Sequence, residues 1–302
     1  MKAKKGIDTG ATLHVIDGNT VKKTKPYNDI DLNKWKDYDH IQTGTLWQFN
    51  SRAKTNGHKF DYHGNYIPQI AEQLYGRFTK PGDIVLDLFL GSGTSAIEAI
   101  NMDRKCIGVE LKSDLAEKVR EKLNELDNSC LTDVICGDSS SGKILNTINS
   151  SLKKFDAEKA QFLVLHPPYA DIIKFSDKRK DLSNCGSTEE FLEKFKNVAQ
   201  NGYDALEKGR YAALIIGDKY TKGELVPLSF YCMQKMNEVG FKTKSIIVKN
   251  IEGNEVAKGR TSNLWRYRAL AGGFYIFKHE YVMIFQKEKE KGKKNSRQLS
   301  AE

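Results

Sequence analysis

The sequence predicts an α/β fold: a mostly parallel seven-stranded sheet with an antiparallel terminal strand and helices on both faces. Three observations carry this reading. Short apolar runs alternate with amphipathic stretches of helical length between residues 66 and 250. A Gly-x-Gly turn follows the first strong apolar run, where open α/β sheets bind ligands beyond the carboxyl ends of their strands. The last two strand-like runs leave no room between them for a helix of the same kind, which favours a reversed final strand.

Taken in order, residues 1–55 are polar, lysine-rich and spotted with aromatics (Trp35, Tyr38, Trp47, Phe49), and read as an irregular basic arm packed partly on the body. Residues 66–74 carry apolar side chains at helical spacing, with Pro68 suited to a first turn. The turn Pro81-Gly82-Asp83 launches a strand over 84–89, and the loop 90–94 leads into a helix ending near Met102. A strand at 105–110, a charged helix at 113–126 and strands at 132–136, 161–165 and 211–216 follow. Helices are expected at 188–206 and 227–239, then strands at 243–250 and 280–285 joined by a loop over 252–277. The tail 288–302 mixes Lys and Glu without an apolar face and reads as disordered, which leaves 56–287 as the catalytic body.

Composition narrows the class. Lys and Arg number 48 against 39 Asp and Glu, a net charge of +9 that favours polyanionic partners. The five cysteines are odd in number and form no C-x-x-C pair, which argues against a disulfide framework or a zinc ribbon. Cys106 and Cys136 fall in apolar runs, where a thiol acts as a small hydrophobe. No apolar stretch approaches the roughly 20 residues that span a bilayer, and Met1 to Lys5 has no apolar run behind it. A cytoplasmic location, no membrane contact and no metal site are expected.

The loop Asp87-Leu88-Phe89-Leu90-Gly91-Ser92-Gly93-Thr94 joins the first parallel strand to its helix, and its glycines let a ligand approach the backbone. Glu110 ends the second strand, where a carboxylate accepts from both hydroxyls of a ribose. Asp138 ends the third, placed to accept from an adenine amino group. NAD shares this adenosine geometry, but the loop lacks the third glycine of G-x-G-x-x-G. Asp87 also disfavours a pyrophosphate and suits the cationic amino and sulfonium groups of S-adenosylmethionine, the cofactor this reading selects.

His166-Pro167-Pro168-Tyr169 follows the fourth strand, beside that crevice. Two prolines stiffen the backbone and remove two N–H donors, leaving carbonyls as acceptors. An exocyclic base amine offers two N–H groups, so a fixed carbonyl and an acceptor side chain can hold them and aim the nitrogen at a sulfonium methyl. Tyr169 is placed to stack on the base.

In order and content these motifs resemble the DNA amino-methyltransferases, which make N6-methyladenine or N4-methylcytosine. Residues 87–94 match the family's glycine motif and 166–169 its tetrapeptide, [Asp/Asn/Ser]-Pro-Pro-Tyr. The stretch from His63 through Pro68 to Asp83 is similar to its upstream cofactor-contacting segment, so the likeness covers about 58–287. It implies a Rossmann-like methyltransferase fold, catalytic His166, Pro167, Pro168 and Tyr169, and S-adenosylmethionine held by Tyr66, Pro68, Asp87, Phe89, Gly91, Ser92, Gly93, Thr94, Glu110 and Asp138. It also implies double-stranded DNA with a flipped-out base, and a cognate restriction enzyme as partner; the oligomeric state stays open. Phosphate and base contacts are expected from Lys174, Lys178, Arg179 and Lys180 just after the tetrapeptide, and from Lys258, Arg260, Trp265, Arg266 and Arg268 in the late loop.

His166 departs from the pattern. A neutral imidazole accepts through one ring nitrogen, so the residue is read as a working variant, but the usual clue to the base is lost. Adenine N6 is preferred slightly over cytosine N4. Alternatives are an RNA or protein-glutamine amino-methyltransferase, and a DNA-binding relative weakened by the histidine.

Overall fold

The computed structural model describes residues 12–16, 20–24, 27–53, 64–126, 131–169, 174–251 and 262–288; of 12–16, 20–24 and 262–265 only the backbone is described. A hairpin of β1 (Thr12–Ile16) and β2 (Thr20–Thr24) comes first, then a 3-10 segment over Leu32–Tyr38 and the short β3 (Leu46–Trp47). The body continues through α1 (Pro68–Phe78), β4 (Ile84–Asp87), α2 (Thr94–Asn101), β5 (Lys105–Glu110), α3 (Ser113–Asn124), β6 (Thr132–Cys136), α4 (Ile144–Lys154) and β7 (Ala160–Leu165). It closes with α5 (Thr188–Ala205), β8 (Leu206–Ile216), β9 (Lys219–Thr221), β10 (Glu224–Val226), α6 (Leu228–Val239), β11 (Lys242–Asn250), α7 (Ser262–Gly272) and β12 (His279–Gln286).

The main sheet has eight strands in the order β3-β11-β12-β8-β7-β4-β5-β6. The seven expected strands are all present, and β12 pairs antiparallel with both β8 and β11. The reversed strand therefore sits inside the sheet, with β11 and then the parallel β3 outside it. Successive strand residues point to opposite faces, and both faces are covered. Ile84, Leu86, Leu163, Leu165, Leu214 and Ile216 share one core with residues of α4, α5 and α6. Val85, Phe162, Val164, Ala213 and Ile215 share the other with residues of α1, α2 and α3. Strands buried on both sides explain why they read as continuous apolar runs.

Four details differ from the sequence reading. The N-terminal 55 residues hold the hairpin and β3, where Trp47 buries itself beside β11. Within 252–277, read as a loop, residues 262–272 form α7, whereas 252–261 lie outside the described residues, as does the tail from 289. α4 was not read from the sequence, although Ile144, Ile148 and Leu152 make a buried stripe. Cys136 is exposed at the end of β6, unlike the buried Cys106, because its apolar neighbours end there. Among the described residues no helix is long and apolar enough to cross a membrane.

Candidate active site

The carboxyl ends of β4, β5, β6, β7 and β8 open on one edge of the sheet, and the expected site residues gather there. Asp87, the last residue of β4, is 1% exposed. One of its oxygens accepts from the Phe89 amide at 2.8 Å and the other from the Ser95 hydroxyl. Ser95 in turn shares a hydrogen bond with the buried Tyr66 hydroxyl at 2.5 Å, and its carbonyl accepts from Tyr75. Tyr66 and Asp87, both assigned to the cofactor, are thus joined through α2. Burial raises Asp87 to about 6, against the lowering effect of its donors.

The glycine loop is pulled tight by backbone and carboxylate bonds. The Leu90 amide donates to Val109 of β5, the Gly93 amide to Leu90, and the Gly91 amide to Glu110 Oε2 at 3.0 Å. Gly91 and Gly93 have φ of 55° and 87°, so both occupy left-handed backbone that favours glycine. A Cβ on Gly93 would lie 3.0 Å from Val119 of α3. Ser92 is buried and accepts from the Asn65 side chain, while Thr94 and Pro68 open α2 and α1 as buried first-turn residues. Phe89 packs half-buried on the core.

Glu110 is 8% exposed and accepts from both the Gly91 and Lys112 amides, yet burial lifts it to about 7. Each carboxylate oxygen keeps a second acceptor direction for a ligand hydroxyl. Asp138 lies half-buried after β6, with Oδ1 taken by the amide and hydroxyl of Ser140. Glycines in left-handed backbone and carboxylates ending successive strands form a cradle that fits the adenosine and sulfonium parts of S-adenosylmethionine.

The tetrapeptide leaves β7 between β4 and β8. The His166 ring is half-buried and meets Tyr66 edge-on at 5.4 Å and Tyr169 at 5.9 Å between centroids. Burial lowers its pKa to about 4, Glu280 acts in the opposite sense, and Lys249 and Arg52 add to the lowering. Tyr169 donates to Glu280 Oε2 at 2.7 Å, and Lys249 Nζ donates to Glu280 Oε1 at 2.9 Å. Sequence reasoning missed Glu280, Lys249 and Ser95, whereas Asn65 lies in the stretch it read as cofactor-contacting. Neither Glu280 nor Lys249 lies in a local motif: Lys249 is one of three lysines in β11, and Glu280 is the second residue of β12.

The nucleic-acid candidates are dispersed. Lys174 pairs with Asp177 on the surface, and Arg179 is exposed. Lys178 is exposed and donates to the Leu111 carbonyl at 2.7 Å. Arg266 and Arg268 lie exposed on α7. The Trp265 side chain and Arg260 fall outside the described residues.

Comparison with known proteins gives the site its context. The chain is 33% identical over 101 residues to the "DNA adenine methyltransferase YhdJ" of Escherichia coli strain K12, covering 33% of each protein. It is 32% identical over 89 residues to the "Type II methyltransferase M1.MboII" of Moraxella bovis, covering 28% of this chain and 34% of that protein. The matched regions span well under half the length of these curated relatives. Among solved structures, TrmN from Thermus thermophilus superposes with a TM-score of 0.46 at 16% identity, covering 74% of this chain and 50% of that one. The family described as DNA methylase matches residues 2–121 and 160–302, most of the chain and both motif regions, so this chain belongs to the N6/N4 DNA methylase family, whose cofactor is S-adenosylmethionine.

Proposed function

We propose that this chain methylates an exocyclic amino group of a DNA base, adenine N6 in preference to cytosine N4. The observation that carries the reading is the placement of the tetrapeptide at the end of β7, beside the β4 glycine loop, with His166 framed by Tyr66 and Tyr169. S-adenosylmethionine, when bound, supplies a methyl group on a cationic sulfur. The residues of this chain do the positioning. His166, with its pKa lowered to about 4 by burial, is a neutral imidazole at physiological pH and can accept an N–H of the target amine. Pro167 and Pro168 carry carbonyl acceptors without N–H donors of their own, and Tyr169 offers a ring face to the base. Holding the nitrogen in line is enough for such a transfer and asks for no covalent intermediate.

Adenine is supported by the printed description of the YhdJ relative. A restriction partner is supported by the likeness to the "Probable type III restriction-modification enzyme HindVI Mod subunit" of Haemophilus influenzae, 32% identical over 103 residues and 14% of that protein.

The test is incubation with labelled S-adenosylmethionine and DNA, RNA or protein, followed by mass spectrometry of the modified group. N6-methyladenine in DNA is the expected product. Label in RNA or protein alone would overturn the DNA reading, and N4-methylcytosine would reverse the choice of base. Stacking of a base on an aromatic ring is worth about 1–3 kcal/mol, so Tyr169→Ala is expected to lower kcat roughly ten- to hundredfold while cofactor affinity holds.

A further inference from the structure

Glu280 and Lys249 form an ion pair in a place where the fold gains little from one. Glu280 is 7% exposed and Lys249 5%. They stand opposite one another in the β11–β12 ladder, at the edge where the tetrapeptide emerges. Removing two charges from water is costly, and an apolar pair of similar volume usually serves stability as well. The carboxylate divides its oxygens: Oε1 takes the Lys249 ammonium at 2.9 Å and Oε2 takes the Tyr169 hydroxyl at 2.7 Å. Lys249 thereby orients Glu280, and Glu280 holds the end of the Tyr169 side chain.

The rest of the ring is held as well. Gly217, just past β8, lies beneath it, and a Cβ there would stand 3.0 Å from Tyr169 Cε2. The edge of His166 closes another side at 5.9 Å. The tyrosine is thus bonded at its hydroxyl, backed by a glycine and flanked by an imidazole.

We propose that Glu280, held by Lys249, is the positioning residue for Tyr169 and fixes the tip of its side chain, and so the place of the ring against which the target base is set. This rests on the methyl-transfer reading above. Neither residue touches the reacting atoms; both act through the tyrosine.

Two double variants separate the acceptor from the charge. Glu280→Gln with Lys249→Met removes both charges and keeps an acceptor for the phenol. Glu280→Leu with Lys249→Met removes the acceptor as well, and strands no buried charge in either case. The hydroxyl of selectively labelled Tyr169 is read by NMR through its proton and Cζ shifts, and kcat and KM are read on DNA. A hydrogen-bonded hydroxyl protected from exchange is expected in the wild type and the Gln/Met variant, and its loss in the Leu/Met variant. The Leu/Met variant should lose kcat about ten- to hundredfold at unchanged KM for S-adenosylmethionine, as expected when a reacting group is displaced slightly. Tyr169→Phe should lose a similar factor, and combining it with the Leu/Met pair should add nothing further. An identical hydroxyl signal in all variants overturns the proposal, as does a parallel loss of kcat and cofactor affinity in both double variants. A wild-type protein that methylates no DNA refutes the substrate reading instead, and the hydroxyl measurement then decides this proposal by itself.

Discussion

Asp87 and Glu110 are carboxylates that burial pushes up, to about 6 and about 7, from the ordinary acid range. In the folded protein without ligand, both are partly protonated near pH 6.5. Stability that they leave intact at low pH is lost as the pH rises through these values, because the fold then carries two buried anions. A bound cationic sulfonium and ribose hydroxyls favour the ionised forms, so cofactor binding is expected to expel protons near pH 6.5 and none near pH 8.5. Calorimetry in buffers of different ionisation enthalpy measures this, and equal heats across buffers at pH 6.5 would refute the assignment. His166 works in the opposite direction. Its acceptor lone pair survives until the pH falls towards about 4, so the acid limb of kcat should lie well below the ordinary histidine value. A limb at 6.5 would show the imidazole solvated and outside the site. Asp87, Glu110 and the tetrapeptide were legible in the sequence because each sits at a strand end within a local motif. Glu280 and Lys249 were not. Tyr169 and Glu280 lie 111 positions apart, and only the antiparallel placement of β12 brings them together.

The β4–α2 connection shows how an element turns local backbone into a site. Gly93 caps α2 from the left-handed region with φ of 87°, and the space beside it is taken by Val119. Any other residue there strains the backbone by about 1–2 kcal/mol, and the neighbour on α3 has to give way besides. Gly93→Ala is therefore expected to cost at least about that much stability in a denaturant titration and to weaken cofactor binding by displacing the loop. A wild-type midpoint with wild-type affinity would show that the loop tolerates a side chain. The strand–turn–helix order was readable because apolar runs, glycines and amphipathic stretches occur in register with the elements they form. α4 escaped notice because Asn, Ser and Lys dilute its apolar stripe. β9 and β10 escaped because their three-residue strands turn on Lys222 and Gly223, both at positive φ, with little pattern on either side.

Across the whole molecule, the net charge of +9 acquires a direction from the sheet. The 174–180 segment is anchored on the cofactor edge, since Lys178 binds the carbonyl that follows β5 and Phe175 lies beneath Gly64. The end of α7 is anchored to the same edge through Phe274 and Phe277, which pack on Tyr220 of β9. Exposed Arg179 and Arg266 stand on these two segments, the second of which the sequence reading places on the cofactor side. If both meet phosphates, each contact releases condensed counterions when DNA binds. The slope of log affinity against log salt then becomes shallower by about 0.9 for each contact removed. Arg179→Ala and Arg266→Ala are each expected to weaken binding of any duplex, with a slope reduced by about that amount and an unchanged choice of methylated base. A change in affinity without a change in slope would assign these arginines to base stacking or to folding. An unchanged slope and affinity would move the DNA path to another part of the basic surface.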